Sequence, residues 1–424
     1  MKFSKLSQLF LVSRIFLIAM TGLLMATLLT SCAIVTIDYL FVASSAGSGT
    51  GAAGQIETYD MDSKTGALRT GAPAVPSGGI NPISMAVTSD YANLYVANQG
   101  TGSSPGSVVH FAIASNGVLT QKDTVATSST PVSLAVNAAG TYLYVVSGTT
   151  SATLTAYPLA SGTIGSAVAT KPLKLYNTYA SYSSDVIVPT GVTVLANNNA
   201  VYVTAYDQSA YNPGCIPTPP ATTCITSTAN PGWVFGFTVG SGGVLTAATN
   251  PYEAGVKPSA IAADPTNRFV YVTDFASNEL IGYTIQDGST LDFMVNGPFR
   301  TGNEPQAVVV DPRGIFIYVA NALDSTVLAY DITLATGAPS ATVNPAGNPI
   351  NSTDTTPVAI LVDAALGRFV YTANQQGNSI SGFELNPSTG ALAPTQATPY
   401  PTGYKPSALA SVPHGNHAVQ SVNP

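Results

Sequence analysis

Pro258-Ser259-Ala260-Ile261-Ala262-Ala263-Asp264-Pro265, followed across Thr266-Asn267-Arg268 by Phe269-Val270-Tyr271-Val272-Thr273-Asp274, decides how this chain folds. A proline opens a short apolar strand, an Asp-Pro turn reverses it, and an aromatic and β-branched strand returns. The same order recurs along the chain. The opening proline is Pro82, Pro131, Pro189, Pro258, Pro305, Pro357 and Pro406. Three residues on stands one bulky apolar side chain: Met85, Leu134, Val192, Ile261, Val308, Ile360 and Leu409. The residue before it is small: Ser84, Ser133, Gly191, Ala260, Ala307, Ala359 and Ala408. Side chains alternate along a strand, so the bulky and small columns face opposite ways, and the small ones suit strands converging on an axis.

The second strand carries Phe41, Tyr95, Tyr144, Tyr202, Tyr271, Tyr318 and Tyr371, and the third Tyr59, Phe111, Tyr157, Phe237, Tyr283, Tyr330 and Phe383. Units of roughly 50 residues, all strand and no helix, predict a ring of β-sheets rather than a sandwich. The expected fold is all-β, a seven-bladed β-propeller over residues 38–412. The phase at the ends adds a detail. The chain enters at a second strand, Tyr39-Leu40-Phe41-Val42-Ala43, and finishes on a lone first strand, Pro406-Ser407-Ala408-Leu409-Ala410-Ser411. The two termini are therefore expected to share one blade and close the ring, hiding its edges. Residues 413–424 read as a tail.

These units resemble the repeats of lactonase-type (6-phosphogluconolactonase-like) and YVTN-repeat propellers. The resemblance spans about residues 38–412 and rests on structural columns. It implies the fold and admits lactone hydrolysis, but it carries no catalytic residue over to a numbered position here.

The N-terminus reads as a signal peptide, residues 1–31. Lys2, Lys5 and Arg14 precede the apolar run from Ile15 to Leu29, and Leu29-Thr30-Ser31-Cys32 resembles a lipobox. Lipidation of Cys32, with 32–37 as a tether, would anchor the domain to a membrane of the bacterial envelope. Ala33 after the cysteine favours the outer membrane. Without the leader, 11 basic residues face 21 acidic ones, a net of −10. So acidic a surface lacks the cationic patch that phosphate needs, which excludes non-specific nucleic-acid binding. Cys215 and Cys224 lie in a Pro-rich insert, 207–231, where an exported protein can form a local disulfide; the alternative is two free thiols. Two cysteines without nearby histidine do not make a metal site, and no cofactor motif is present.

Candidate chemistry falls in two places. The residue before each opening proline should ring the channel mouth, and three of these ionise: Lys257, Glu304 and Lys405. Glu304 could activate water on a lactone while Lys257, Lys405 or Arg300 holds the oxyanion; the competing reading is a solvated rim. The second place is a pair of insertions on the same face near the fourth blade. Residues 171–188 hold Tyr176, Tyr179 and Tyr182. The cysteine insert is bordered by Tyr206, Tyr211 and Trp233. Aromatic loops of this kind suit an envelope protein or a glycan, while a small lactone would belong to the rim. Arg268, Arg313 and Arg368 recur in one turn and read as structural, and Asp274, Asn278, Asn321, Asp324, Asn374 and Asn378 as turn caps. His110 reads as a packed strand residue, and His414 and His417 as solvated. No His-Glu-x-x-His helix motif occurs. One tryptophan argues against a quinone-dependent dehydrogenase. A binding scaffold is the favoured function, with lactone-ring hydrolysis of an extracytoplasmic substrate the alternative.

Overall fold

The computed structural model describes residues 35–49, 51–101, 105–149, 151–175, 186–208, 232–248, 250–341 and 350–414. The leader, Cys32, Tyr176, Tyr179, Tyr182, Tyr211, Cys215, Cys224 and His417 lie outside them.

Seven antiparallel sheets form the blades of a ring, and we number them from the one that contains both termini. In blade 1 the C-terminal strand Tyr404–Pro413 lies innermost and pairs with the N-terminal strand Thr36–Ser45, Phe41 opposite Ala410 and Val42 opposite Leu409. The innermost strands of blades 2 to 7 are Pro82–Val87, Pro131–Val136, Ile187–Val194, Pro258–Ala263, Pro305–Val310 and Pro357–Val362. In every blade but the second, the outermost position is filled by two short segments that both pair with the third strand. In blade 5, Thr290–Phe293 and Phe299–Arg300 both pair with Glu279–Gln286. Blade 2 has one continuous outer strand, Leu119–Ala126. The sole helical turn among the described residues is the 3-10 segment Ser241–Gly243.

The opening prolines have a local cause. In blades 2 to 7 the register with the second strand shifts within two residues after the proline, as between Pro258 and Ala260 or Pro305 and Ala307. Proline has no N–H to offer a ladder and is tolerated at a strand start or bulge. The bulge re-aims the residue that follows it.

Each gap between blades is filled by one apolar cluster, and the bulky column supplies one side chain to each of the seven. Met85 joins Phe41 and Val96 between blades 1 and 2, Ile261 joins Tyr202 and Val272 between blades 4 and 5, and Leu409 joins Val42 and Tyr371 between blades 7 and 1. The bulky residue thus packs towards the preceding blade. The small residue faces the following one: a Cβ on Gly191 would lie 3.3 Å from the Ile261 side chain. Knob meets hole around the whole ring, and each buried aliphatic side chain contributes about 1.5–3 kcal/mol.

Tyrosines add directional latches. The phenols of Tyr95, Tyr202, Tyr271, Tyr318 and Tyr371 donate to the carbonyls of Gly162, Ser289, Gly337, Gly390 and Gly66, each in the outer hairpin of the next blade. Third-strand tyrosines reach backwards: Tyr59, Tyr283 and Tyr330 donate to Pro401, Glu253 and Arg300 of the preceding blade.

Arg268 and Arg313 pair with the buried Asp264 and Asp311 of their own turns, at 3.0 and 2.8 Å, and donate to Gly314 and Pro387 of the next blade. Their structural reading stands. The ring of His414 packs 5.2 Å from that of Tyr39, and its amide donates to Ile37. It is therefore half-buried against blade 1 rather than part of a solvated tail. Residues Ala169–Pro172 form an outer strand of blade 3, so the first insert begins later than the repeat phase indicates.

Candidate functional site: the mouth of the central channel

The innermost strands surround a cavity of about 550 Å³ on the ring axis. Its wall is built mainly from consecutive residues of these strands, the one after the proline, the small one and the bulky one, except that blade 3 supplies only Val132 and Ser133. Polar groups concentrate near the end where the prolines stand. Hydroxyls come from Ser84, Ser133, Thr190, Ser259 and Ser407, and amides from Gln99, Gln306 and Gln375. Ser259 and Ser407 donate to the carbonyls of Pro305 and Pro82 in the next blade, at 2.5 and 2.6 Å, so these hydroxyls brace the ring. The three glutamine side chains make no hydrogen bond among the described residues. They leave three amide donors and acceptors directed at the channel.

No acid, base or thiol belongs to this wall among the described residues. The ionisable groups stand one step out. Glu304 precedes Pro305 with its backbone in the left-handed region, φ 53°, as do Asn81, Thr356 and Lys405 at 54°, 62° and 52°. Such backbones persist where surroundings hold them. Here the holder is a side chain of the preceding blade: Asn278 Oδ1 accepts the Glu304 amide and Asn378 Oδ1 the Lys405 amide, both at 2.8 Å. Within blade 5, Asp274 accepts the amides of Val256 and Lys257. Asn278 and Asn378, read as turn caps, therefore also splice one blade to the next.

The Lys257 ammonium lies 4.3 Å from the Phe275 ring centre and 5.7 Å from that of Tyr206. Burial pushes its pKa down, against the pull of the Glu304 and Asp274 carboxylates. Tyr206, Lys257 and Glu304 thus gather on blades 4, 5 and 6 beside the entrance. Arg300 does not join them; it is exposed on the outer strand of blade 5, opposite Glu279. Lys405 is exposed on blade 1 over the ring of Tyr404. Trp233 is 2% exposed and fills the core between blades 3 and 4. His110 is also buried, its Nδ1 2.5 Å from Asp123 and its Nε2 2.9 Å from Asn93. No group of three or more metal-ligating side chains occurs among the described residues.

The glutamines escape a column reading for a simple reason. Gln306 occupies the position after the proline, where the other repeats carry Ile, Val, Thr or Ser, and Gln99 and Gln375 follow the second-strand Asn98 and Asn374. The signal available was a polar residue at a bulge.

A model of the family described as lactonase, seven-bladed β-propeller, matches residues 41–175 and 241–352, more than half of the chain. The chain belongs to this lactonase propeller family. No curated protein matches it. Among solved structures, the lactonase propeller is similar to a candidate 6-phosphogluconolactonase of Bacteroides uniformis, with TM-score 0.69 and 16% identity over 89% of this chain and 100% of that one. It is also similar to a periplasmic gluconolactonase of Pseudomonas aeruginosa, with TM-score 0.69 and 19% identity over 91% and 100%. A protein of Lactobacillus plantarum follows at TM-score 0.67 and 15% identity over 89% and 99%. At these identities the solved structures establish the shared fold, and the chemistry rests on the site.

Proposed function

We propose that this lactonase-family propeller binds a small, uncharged, hydroxyl-rich ligand such as a sugar or sugar lactone at the mouth of its central channel. The observation that carries this reading is the set of three glutamine amides, Gln99, Gln306 and Gln375, that line the cavity with no hydrogen bond among the described residues. These amides face the channel, and a ligand hydroxyl can both donate to and accept from them. A wall without a titratable group favours binding over turnover, because lactone opening needs a base within reach of the attacking water.

Lactone hydrolysis is the second reading, supported by the family and by Glu304 beside Lys257 at the entrance. Glu304 would take the proton from water and the Lys257 ammonium would face the oxyanion. The leader adds a location to either reading: a domain held to the bacterial envelope by lipid on Cys32. The tyrosines of the two inserts, Tyr176, Tyr179, Tyr182 and Tyr211, would offer an envelope protein or glycan rigid aromatic contacts.

Calorimetric titration with a panel of sugars and sugar lactones, run beside a hydrolysis assay, tests the proposal. Binding without turnover above buffer, lost in Gln306→Leu combined with Gln375→Leu, supports it. Turnover that Glu304→Gln abolishes would replace it with the hydrolase reading.

A further inference from the structure

The turn between the first and second strands of blades 5, 6 and 7 contains an aspartate with no solvent exposure: Asp264, Asp311 and Asp363. In blades 5 and 6 an arginine of the same turn neutralises it, Arg268 at 3.0 Å and Arg313 at 2.8 Å. Blade 7 departs from this pattern. Arg368 turns outward onto Glu384, where both side chains are nearly half exposed. Asp363 keeps the backbone amides of Leu366, Gly367, Arg368 and Phe369. In the place of the cation it meets a second carboxyl, that of Asp38.

Asp38 belongs to the N-terminal strand Thr36–Ser45 and is likewise fully buried. It reaches across the closing seam, where its Oδ2 accepts the amide of Ala365 at 3.1 Å. The adjacent amide, Ala364, donates to Ser411 from the C-terminal strand. One turn of blade 7 is therefore held by both ends of the chain. The Asp38 Oδ1 has no donor among the described residues. Two dry carboxylates in contact cannot both stay ionised, so one proton must lie between them.

We propose that the ring-closing seam is a pH-sensitive latch, in which Asp38 and Asp363 share a proton that holds blade 1 to blade 7 and whose loss to alkali loosens the closure. Other groups that face the pair do not neutralise it. The phenols of Tyr91 and Tyr371 and the carboxylate of Asp62 are neutral or negative, and Arg368 is committed to Glu384. Across the strand, the His414 ring lies on Tyr39. Burial, and for Asp38 the neighbouring Asp363 charge, raise both carboxyls above the ordinary range. The sign follows from linkage. The folded chain binds more protons than the unfolded one, so the stabilisation is complete below the unfolded carboxylate pKa and is lost as pH rises through the folded one. Within that window the folding equilibrium constant falls about tenfold per pH unit for each retained proton.

The test is denaturant unfolding of the full chain between about pH 4 and about pH 9, below the range of the tyrosines. Asp38→Asn keeps an acceptor for Ala365 and presents an amide to Asp363 without a titrating proton. Its expected pH slope is shallower than that of the parent by one proton over the window. An unchanged slope overturns the latch. Should Asp38→Asn fail to fold, infrared spectroscopy of the parent supplies the decision: a carboxylic-acid band at neutral pH that fades in alkali supports the shared proton, and its absence overturns it.

Discussion

The phenol of Tyr271 donates a 2.8 Å hydrogen bond to the carbonyl of Gly337, across the boundary between blades 5 and 6. Gly337 stands at φ 76°, with the ring of Phe269 beneath it. Gly390 repeats the arrangement with Tyr318 and Phe316, and Gly66 with Tyr371 and Phe369. A glycine in the left-handed region offers its carbonyl to the preceding blade and leaves room for that blade's phenylalanine.

Tyr271→Phe should therefore destabilise the fold by about 1–3 kcal/mol, since the Gly337 carbonyl loses its buried donor. Tyr144 is the matched control. Its hydroxyl is buried without a partner among the described residues, and burial beside Tyr142 pushes its pKa up to about 12. Tyr144→Phe removes an unsatisfied polar atom and should leave stability unchanged or improved. Denaturant midpoints of the two variants check the contrast; equal losses would contradict it.

Gly337→Ala should cost more than Gly242→Ala. Both glycines have positive φ, 76° and 71°, so both pay the left-handed strain of about 1–2 kcal/mol. A Cβ on Gly337 would also lie 2.4 Å from the Met294 Cε and 2.5 Å from Phe269, whereas Gly242 has nothing within 4 Å. The overpacking adds about 1–3 kcal/mol. Thermal unfolding of the pair reads the difference directly.

Arg313→Ala should be far more harmful than Arg368→Ala. Arg313 is 8% exposed, and removing it strips a fully buried Asp311 of its only charge partner in the turn, a loss of about 3–5 kcal/mol. The Arg368–Glu384 pair is 46% and 41% exposed and is worth about 1 kcal/mol or less. Chemical denaturation curves for the two single variants settle the ranking.

A chain ending before Tyr404 should lose cooperative unfolding altogether. Tyr404–Pro413 is the innermost strand of blade 1, and without it Thr36–Ser45 becomes an open edge facing the channel. Differential scanning calorimetry should show no sharp transition for the truncated chain. A single transition near that of the parent would show that the ring does not depend on its closing strand.

The propeller was legible because its evidence is local and repeated. A proline at a strand start, a bulky residue three positions on and a tyrosine in the next strand each have a cause within a few residues, and seven agreeing registers leave one architecture. Closure by the two termini was legible for the same reason, from repeat phase alone. The rim was legible only as positions. Lys257 and Glu304 stand beside the entrance, but Arg300 lies on an outer strand and Trp233 within the core between blades.

Alternation along the chain by itself determined which columns are bulky, small and aromatic, and therefore the ring. Only the tertiary structure decided what each column meets. The bulge after each proline turns Gln306 into the channel, the ring geometry brings Gln99 and Gln375 to the same cavity, and the closing seam sets Asp38 against Asp363. Those pairs are separated by up to hundreds of residues in sequence. Their contacts depend on strand twist and on the angle between blades, which no local pattern of side chains encodes.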